Sequence, residues 1–406
     1  MADTTQGGVG FGSVVSSLFG GDAGKKPGAA KARMPGHGGM LSELYWPCLI
    51  PAALLVALGL VVVWSASLTN PDASLFKQAL GAALGLCFGA VIWRYDYRSL
   101  QNLSTWLLVL DVVLMLLPRV PGLSYEGGLG MTGWVKVGPL TMQPSEFGKL
   151  VTIFMMASLG AQYNGKVKEF ADYARLCGTL LLPFVAIMAQ PDLGTGLILL
   201  VIGAVIIICS GARRDWVLIT IALIVLAAAL VIFCSISFKF PLKTYQLNRL
   251  LVFADPSLGA SEEGYNLQQA KIAVGSGGLL GKGIGGATQA AGGFLPESHT
   301  DFVFALLAEE FGFVGSVVLL GLYAWLIFST LALAMRLDAP FAKLVLAGVI
   351  AMWSYQLLQN VGMCIGIMPI TGIPLPFISY GGTSMLFQVA SVGIVQSVWL
   401  HRQKSA

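Results

Sequence analysis

Charge is scarce in this sequence. Of 406 residues only 11% are Asp, Glu, Lys or Arg, while 56% are hydrophobic. Soluble domains carry about 25% charged residues, so the composition excludes a water-soluble enzyme, a nucleic-acid-binding domain and a secreted disulfide scaffold. Histidine is nearly missing: His37, His299 and His401 are the whole set, none four residues from another, which leaves little from which to build a zinc site. The six cysteines (Cys48, Cys87, Cys177, Cys209, Cys234, Cys364) form no C-x-x-C pair and read as small core residues. No D-x-D pair occurs, which argues against a nucleotide-sugar donor. No apolar stretch follows the first charges until Trp46, so no cleavable leader is expected.

What the chain has is long apolar runs, at about 46–67, 75–92, 103–118, 147–162, 176–190, 193–210, 216–236, 302–334, 341–367 and 383–400. A membrane helix needs roughly 20 such residues, so these predict an all-α polytopic membrane protein with ten transmembrane helices. Residues 1–42, rich in Gly, Ala, Ser and Lys, have the composition of a disordered tail, leaving 43–406 as the membrane domain. Most of the 24 Lys and Arg fall on one side if the N-terminus is cytoplasmic. Both termini are therefore expected in the cytoplasm, with a large extracytoplasmic loop, 237–301, between the seventh and eighth helices. A loop of that length is usually functional.

Several motifs stand out. Gly275 to Gly283 resembles a phosphate loop but fails its pattern, because Ser276 stands at the first required glycine and Gly283 at the Ser/Thr. It is either a glycine hinge or a backbone and Lys282 contact for an anionic ligand such as a pyrophosphate. Carboxylates at membrane depth are costly and mark sites; Asp111, Glu146, Asp192, Asp301, Glu309 and Glu310 are the ones so placed. Asp192 is positioned to cap the following helix, and one of Glu309 and Glu310 is expected to pair with a buried cation. Thr300 is a candidate N-cap for the eighth helix. Asp301 is either a first-turn residue favoured by the helix dipole or a general base at the membrane surface. Met368 to Ser384, with prolines and glycines in apolar sequence, reads as a re-entrant lining, since non-helical backbone at that depth must be buried in protein or line a cavity.

The runs MQPSEFGKL (142–150), AQPDLGT (189–195), GYNLQQAKIAVGSGGLLGKG (264–283), FLPESHTDFVFALLAEEFGFVG (294–315) and MPITGIPLPFISYGGTSML (368–386) resemble the SEDS family of peptidoglycan glycosyltransferases (shape, elongation, division, sporulation). The wording is more similar to the elongation, RodA-like branch than to the division, FtsW-like one. The resemblance implies the same ten-helix fold and carries the family's essential acid onto Asp301. It carries the tryptophan ahead of the Q-P-S-E motif onto Trp134, and the motif onto Gln143, Pro144, Ser145 and Glu146, with Lys149 a turn later. Where the family commonly has an Arg before that tryptophan, this chain has Met131-Thr132-Gly133, and Lys136 is the candidate for the missing charge. Asp192, Glu297, His299 and Ser379, inside the quoted runs, complete the candidate substrate contacts.

The implied reaction polymerises lipid II on the outer face of the bacterial cytoplasmic membrane during cell elongation and releases undecaprenyl pyrophosphate. It needs one base for the acceptor hydroxyl and cationic or N–H groups for the pyrophosphate. Asp301 is the expected base; Arg249, Lys271, Lys282 and the glycine-rich backbone are the expected pyrophosphate contacts. No organic cofactor is expected, and a divalent cation remains open. The alternatives are a flippase for the lipid-linked precursor and a division-type polymerase. Matching Gly/Pro-broken spans in two halves, the sign of a transporter's inverted repeats, are not seen. Nothing resembles a transpeptidase, so a class B penicillin-binding protein is the expected partner, and no nucleic acid is.

Overall fold

The computed structural model describes residues 40–122, 124–125, 133–137, 140–238 and 262–402. The chain is mostly helical: α1 Trp46–Thr69, α2 Leu75–Arg94, α3 Ser104–Leu116, α4 Pro144–Ala161, α5 Phe170–Met188, α6 Leu193–Cys209, α7 Arg214–Phe238, α8 Glu262–Ser276, the single turn α9 Thr288–Ala291, α10 Val303–Met335, α11 Pro340–Ile365 and α12 Gly382–His401. Seven of them (α1, α2, α5, α7, α10, α11, α12) are long and apolar enough to cross a membrane by length and composition. The remaining apolar runs form α3, with 13 residues, α6, with 17, and α4, which carries Glu146 and Lys149.

Two findings depart from an all-helical expectation with one irregular loop. Ser124–Tyr125, Trp134–Val137 and Leu140–Met142 (β1, β2, β3) form a small antiparallel sheet in that order, with Val135 buried beneath it. The second half of the long loop is also ordered. Leu267, Ala270 and Ala273 of α8 recur every three residues and bury one face, packing α8 on α10 and α11. Residues 239–261 lie outside the described residues, as does nearly all of the 1–42 tail.

Local sequence explains the joints. Pro144 and Pro340 sit in the first turns of α4 and α11, where a missing N–H costs nothing. Gly366, left-handed at φ 80°, ends α11. The pairing of α2 with α12 follows from glycines at every fourth position. A Cβ at Gly81 would lie 2.5 Å from Gly382 O, one at Gly85 2.8 Å from Leu386 O, and one at Gly393 2.5 Å from Gly89 O. Small residues at this spacing let two membrane helices approach backbone to backbone. In contrast, α7 buries none of its span and leans on α5 through Tyr173 and Trp216, whose rings lie 5.6 Å apart.

Helix α10 is broken. Gly312 has φ 66° and ψ −162°, and the glycine-rich segment after α8 fills the gap. Phe313 N–H donates to Gly278 O (2.9 Å) and Val314 N–H to Leu279 O (3.1 Å), while Lys282 and Gly283 N–H donate to the carbonyls of Glu309 (3.0 Å) and Glu310 (2.9 Å). Backbone this close needs glycine: a Cβ at Gly281 would sit 2.1 Å from Glu310 O.

Candidate active site

Asp301 lies two residues ahead of α10, between the segment that follows α9 and the re-entrant segment between α11 and α12. Its neighbours are held in backbone detail. Tyr380 N–H donates to His299 O (2.8 Å), Ser379 Oγ to Thr300 O (2.6 Å), and Asn360 Nδ2 to Asp301 O (2.7 Å). The left-handed Gly372 (φ 67°) lets the re-entrant backbone approach the carboxylate, where a Cβ would be 3.0 Å from Asp301 Oδ2. Gln78 of α2, fully buried, closes the far side: its Nε2 donates to Ser379 O (3.0 Å) and its Oε1 accepts from Gly381 N–H (2.9 Å).

Several expected substrate contacts have other partners. Ser379 is buried, and its hydroxyl also accepts from Leu375 N–H (2.8 Å), so it fixes backbone instead of facing a ligand. His299 is buried beside Tyr380 (5.4 Å between rings) and its Nδ1 accepts from Asn70 Nδ2 (3.3 Å). Burial holds its pKa below the usual 6.5, against the opposing pull of the Glu297 and Asp72 carboxylates. Glu297 accepts from Thr300 Oγ1 (2.6 Å). Thr300 is therefore not the N-cap of α10; that position is Phe302, with no side-chain cap. Asp192 caps α6, accepting from Thr195 N–H (2.9 Å) and Thr195 Oγ1 (2.7 Å), which occupies both of its oxygens.

Lys282, expected to contact the pyrophosphate, also has a partner within the protein. Its Nζ lies 2.6 Å from Glu309 Oε1, a carboxylate with no exposure, and the same oxygen accepts from Thr288 N–H (3.0 Å) and Thr288 Oγ1 (2.8 Å). Glu310 accepts from Ser65 Oγ of α1 and from Gly285 N–H (3.1 Å). Lys282 is thus tied to Glu309, three residues before the break in α10 and eight after Asp301 in sequence, and the glycine-rich segment is docked on that break. Lys271 of α8 lies over Gly366, where a Cβ would meet its Cε at 2.0 Å; its charge is at the C-terminus of α11, which favours cations. Arg249 lies outside the described residues.

Trp134 and the exposed Lys136 share β2. The sheet is tied to α12 where Thr383 Oγ1 donates to Thr141 O (3.3 Å). Gln143 precedes α4 without a capping bond. Below it, Glu146 and Lys149 form a buried pair at 2.7 Å, with Glu146 Oε2 and Ser145 Oγ lacking a partner among the described residues. Asp111 of α3 is buried and accepts from Thr152 Oγ1 (2.6 Å). Among the described residues no three His, Cys, Asp or Glu side chains converge to hold a metal ion. Asn360 and Gln78 escaped the sequence reading; the only signal was an amide inside an otherwise apolar run.

A family model described as a cell cycle protein (FtsW, RodA, SpoVE) matches residues 45–404. The chain is 34% identical over 361 residues to the peptidoglycan glycosyltransferase MrdB of Escherichia coli K12, covering 87% of this chain and 94% of that protein. It resembles the rod shape determining protein RodA of Thermus thermophilus (TM-score 0.65, 29% identity, covering 89% and 98% of the two chains). It also resembles a chain solved in work on how a peptidoglycan synthase complex coordinates polymerization and crosslinking (TM-score 0.76, 30% identity, covering 89% and 99%). With its apolar helices, its Asp301 site and a match over nearly all of its described length, this chain belongs to the FtsW/RodA/SpoVE family.

Proposed function

We propose that this chain is a peptidoglycan glycosyltransferase of the elongation type, which polymerises lipid II into glycan strands at the outer face of the bacterial cytoplasmic membrane. Asp301 takes the proton from the acceptor sugar hydroxyl as that oxygen bonds to the donor's anomeric carbon. The bond from that carbon to the pyrophosphate breaks, and undecaprenyl pyrophosphate leaves with the electron pair. The observation that carries this reading is the grip on residues 299–301: three consecutive backbone carbonyls each accept a hydrogen bond from a neighbouring segment, which restrains the backbone that bears the Asp301 carboxylate and supports a general-base role. With Lys282 engaged by Glu309, the charge for the departing pyrophosphate falls to Lys136, Lys271 and Arg249.

Purified protein given labelled lipid II should make long glycan chains. Asp301→Asn should lose on the order of 10²–10⁴ in rate while reaching the membrane at normal levels. Robust polymerisation by Asp301→Asn refutes the base assignment, and vesicle-to-vesicle movement of lipid II without polymer favours a flippase.

Ten membrane helices, both termini in the cytoplasm and 237–301 outside follow from the distribution of basic residues. A cysteine at Ser261 that a membrane-impermeant reagent cannot reach in spheroplasts would sink that topology. The partner is a class B penicillin-binding protein, a single-span transpeptidase seated on α10 and α11. The apolar residues Val314, Val317, Val318, Trp325 and Phe328 are exposed on α10, a surface open to lipid or to such a span. Co-purification that never yields such a protein, under conditions preserving other membrane complexes, counts against it.

A further inference from the structure

Asn360 lies on α11, five residues before its end, with no exposed surface. A buried amide costs free energy unless its donors are met. Both of its N–H groups are met by carbonyls of irregular backbone on two different segments: Asp301 O at 2.7 Å and Ile373 O at 2.8 Å. Two acceptors on one nitrogen leave no second way to seat the amide, because the flipped side chain would aim an oxygen at both carbonyls. Asn360 therefore sets the separation between Asp301 and the turn at Gly372-Ile373. That turn is the one whose glycine lies against the Asp301 carboxylate, where a Cβ would come to 3.0 Å from Oδ2.

We propose that Asn360 is a positioning residue for the Asp301 carboxylate: its amide bridges the Asp301 and Ile373 backbones and so fixes where the acid stands relative to Gly372. This rests on Asp301 being the base. The other two grips, from Tyr380 N–H and Ser379 Oγ, act on residues 299 and 300. Asn360 alone of the three bonds the backbone of residue 301 itself and comes from a regular helix. It gives the acid a rigid reference that the loops around it lack.

The test is the polymerisation rate of purified Asn360→Ala and Asn360→Leu against wild type, with Asp301→Asn in parallel. Displacing a reacting group by about 1 Å costs up to about 10²-fold. Asn360→Ala should lower kcat by roughly 10- to 100-fold, leave KM for lipid II nearly unchanged, and move the acid limb of the kcat profile. Asn360→Gln, which keeps both donors on a longer arm, should recover part of that loss. An architectural role would instead lower the amount of folded protein and leave kcat, KM and the acid limb per folded molecule as in wild type; that result overturns the proposal. If Asn360→Ala does not reach the membrane, Asn360→Leu, close in size and uncharged but without the two donors, is judged by the same criteria. Loss of folded protein in both assigns Asn360 to architecture alone. Robust polymerisation by Asp301→Asn overturns the base reading itself, whereas an inactive Asp301→Asn beside a fully active Asn360→Ala overturns only the role of Asn360.

Discussion

Lys282 Nζ and Glu309 Oε1 meet at 2.6 Å across 27 residues of sequence, joining the glycine-rich strap to the break in α10. Removing one side of this pair is unequal. Lys282→Met leaves Glu309 its bonds from Thr288 and Gln289, whereas Glu309→Ala removes the acceptor of all of those donors and leaves the ammonium only the Ser276 and Thr288 hydroxyls. Glu309→Ala should be the more destabilising, on the order of 3–5 kcal/mol, read as a lower Tm in detergent. Lys282→Met should lower Tm less and keep polymerisation per folded molecule within about threefold. A lysine that touched the pyrophosphate would behave in reverse, losing on the order of 10²–10³ in rate at unchanged Tm.

Two of the three glycines of α10, Gly312 and Gly321, should separate cleanly. At Gly312 (φ 66°) a Cβ would lie 2.3 Å from Gly281 N, while at Gly321 nothing lies within 4 Å. Gly312→Ala should fail to accumulate or lose most of its thermal stability, and Gly321→Ala should be close to wild type. Equal Tm values for the two variants would show that the break is not built as described.

His299 makes stability depend on pH. Burial favours its neutral form, so its folded pKa lies below 6.5. Its contribution is fully present above about 6.5 and is lost as pH falls toward the folded value, where the unfolded chain already binds the proton. Protonation also places a hydrogen on the Nδ1 that accepts from Asn70. Tm of the wild type should fall between pH 6.5 and 5, and His299→Gln should flatten that slope; identical slopes would remove His299 as the cause.

Gln78 anchors the re-entrant segment with both ends of one amide. Gln78→Leu leaves Ser379 O and Gly381 N–H without that partner, at about 1–3 kcal/mol each, and slackens the backbone that holds Thr300. Tm and kcat should both fall, and chymotrypsin, which cuts after aromatic residues such as Phe377 and Tyr380, should cut the segment faster than in wild type. An unaltered digestion pattern would contradict this.

The helices over the apolar runs were legible because membrane burial writes itself as uninterrupted hydrophobicity. Asp301 was legible from its place at the head of such a run and from the motif around it. Helix α8 was not, since Glu262–Ser276 is short of apolar residues and gains its burial from α10 and α11. The partners of Lys282 and Ser379 were not legible for a common reason: Glu309 and Thr300 are distant in sequence, so spacing alone presents the two as groups awaiting a ligand. Asp192 was readable either way, and the bonds to Thr195 decide for capping.

The break at Gly312 also works as a depth gauge. Unbroken, the 33 residues of α10 would run about 50 Å, well beyond a hydrocarbon layer of about 30 Å. The stretch from 313 to 335 alone is about 34 Å long and suits that layer, which sets the break at the water-facing boundary. A nitroxide at the exposed Phe328 should then collide with dissolved oxygen and one at the exposed Phe294 with aqueous nickel; the opposite ranking would discard the gauge. Asp301 lies eleven residues before Gly312 and ahead of the first residue of α10, so on this gauge the carboxylate belongs to the aqueous side of the break, where a sugar is reached without drawing its lipid anchor out of the bilayer.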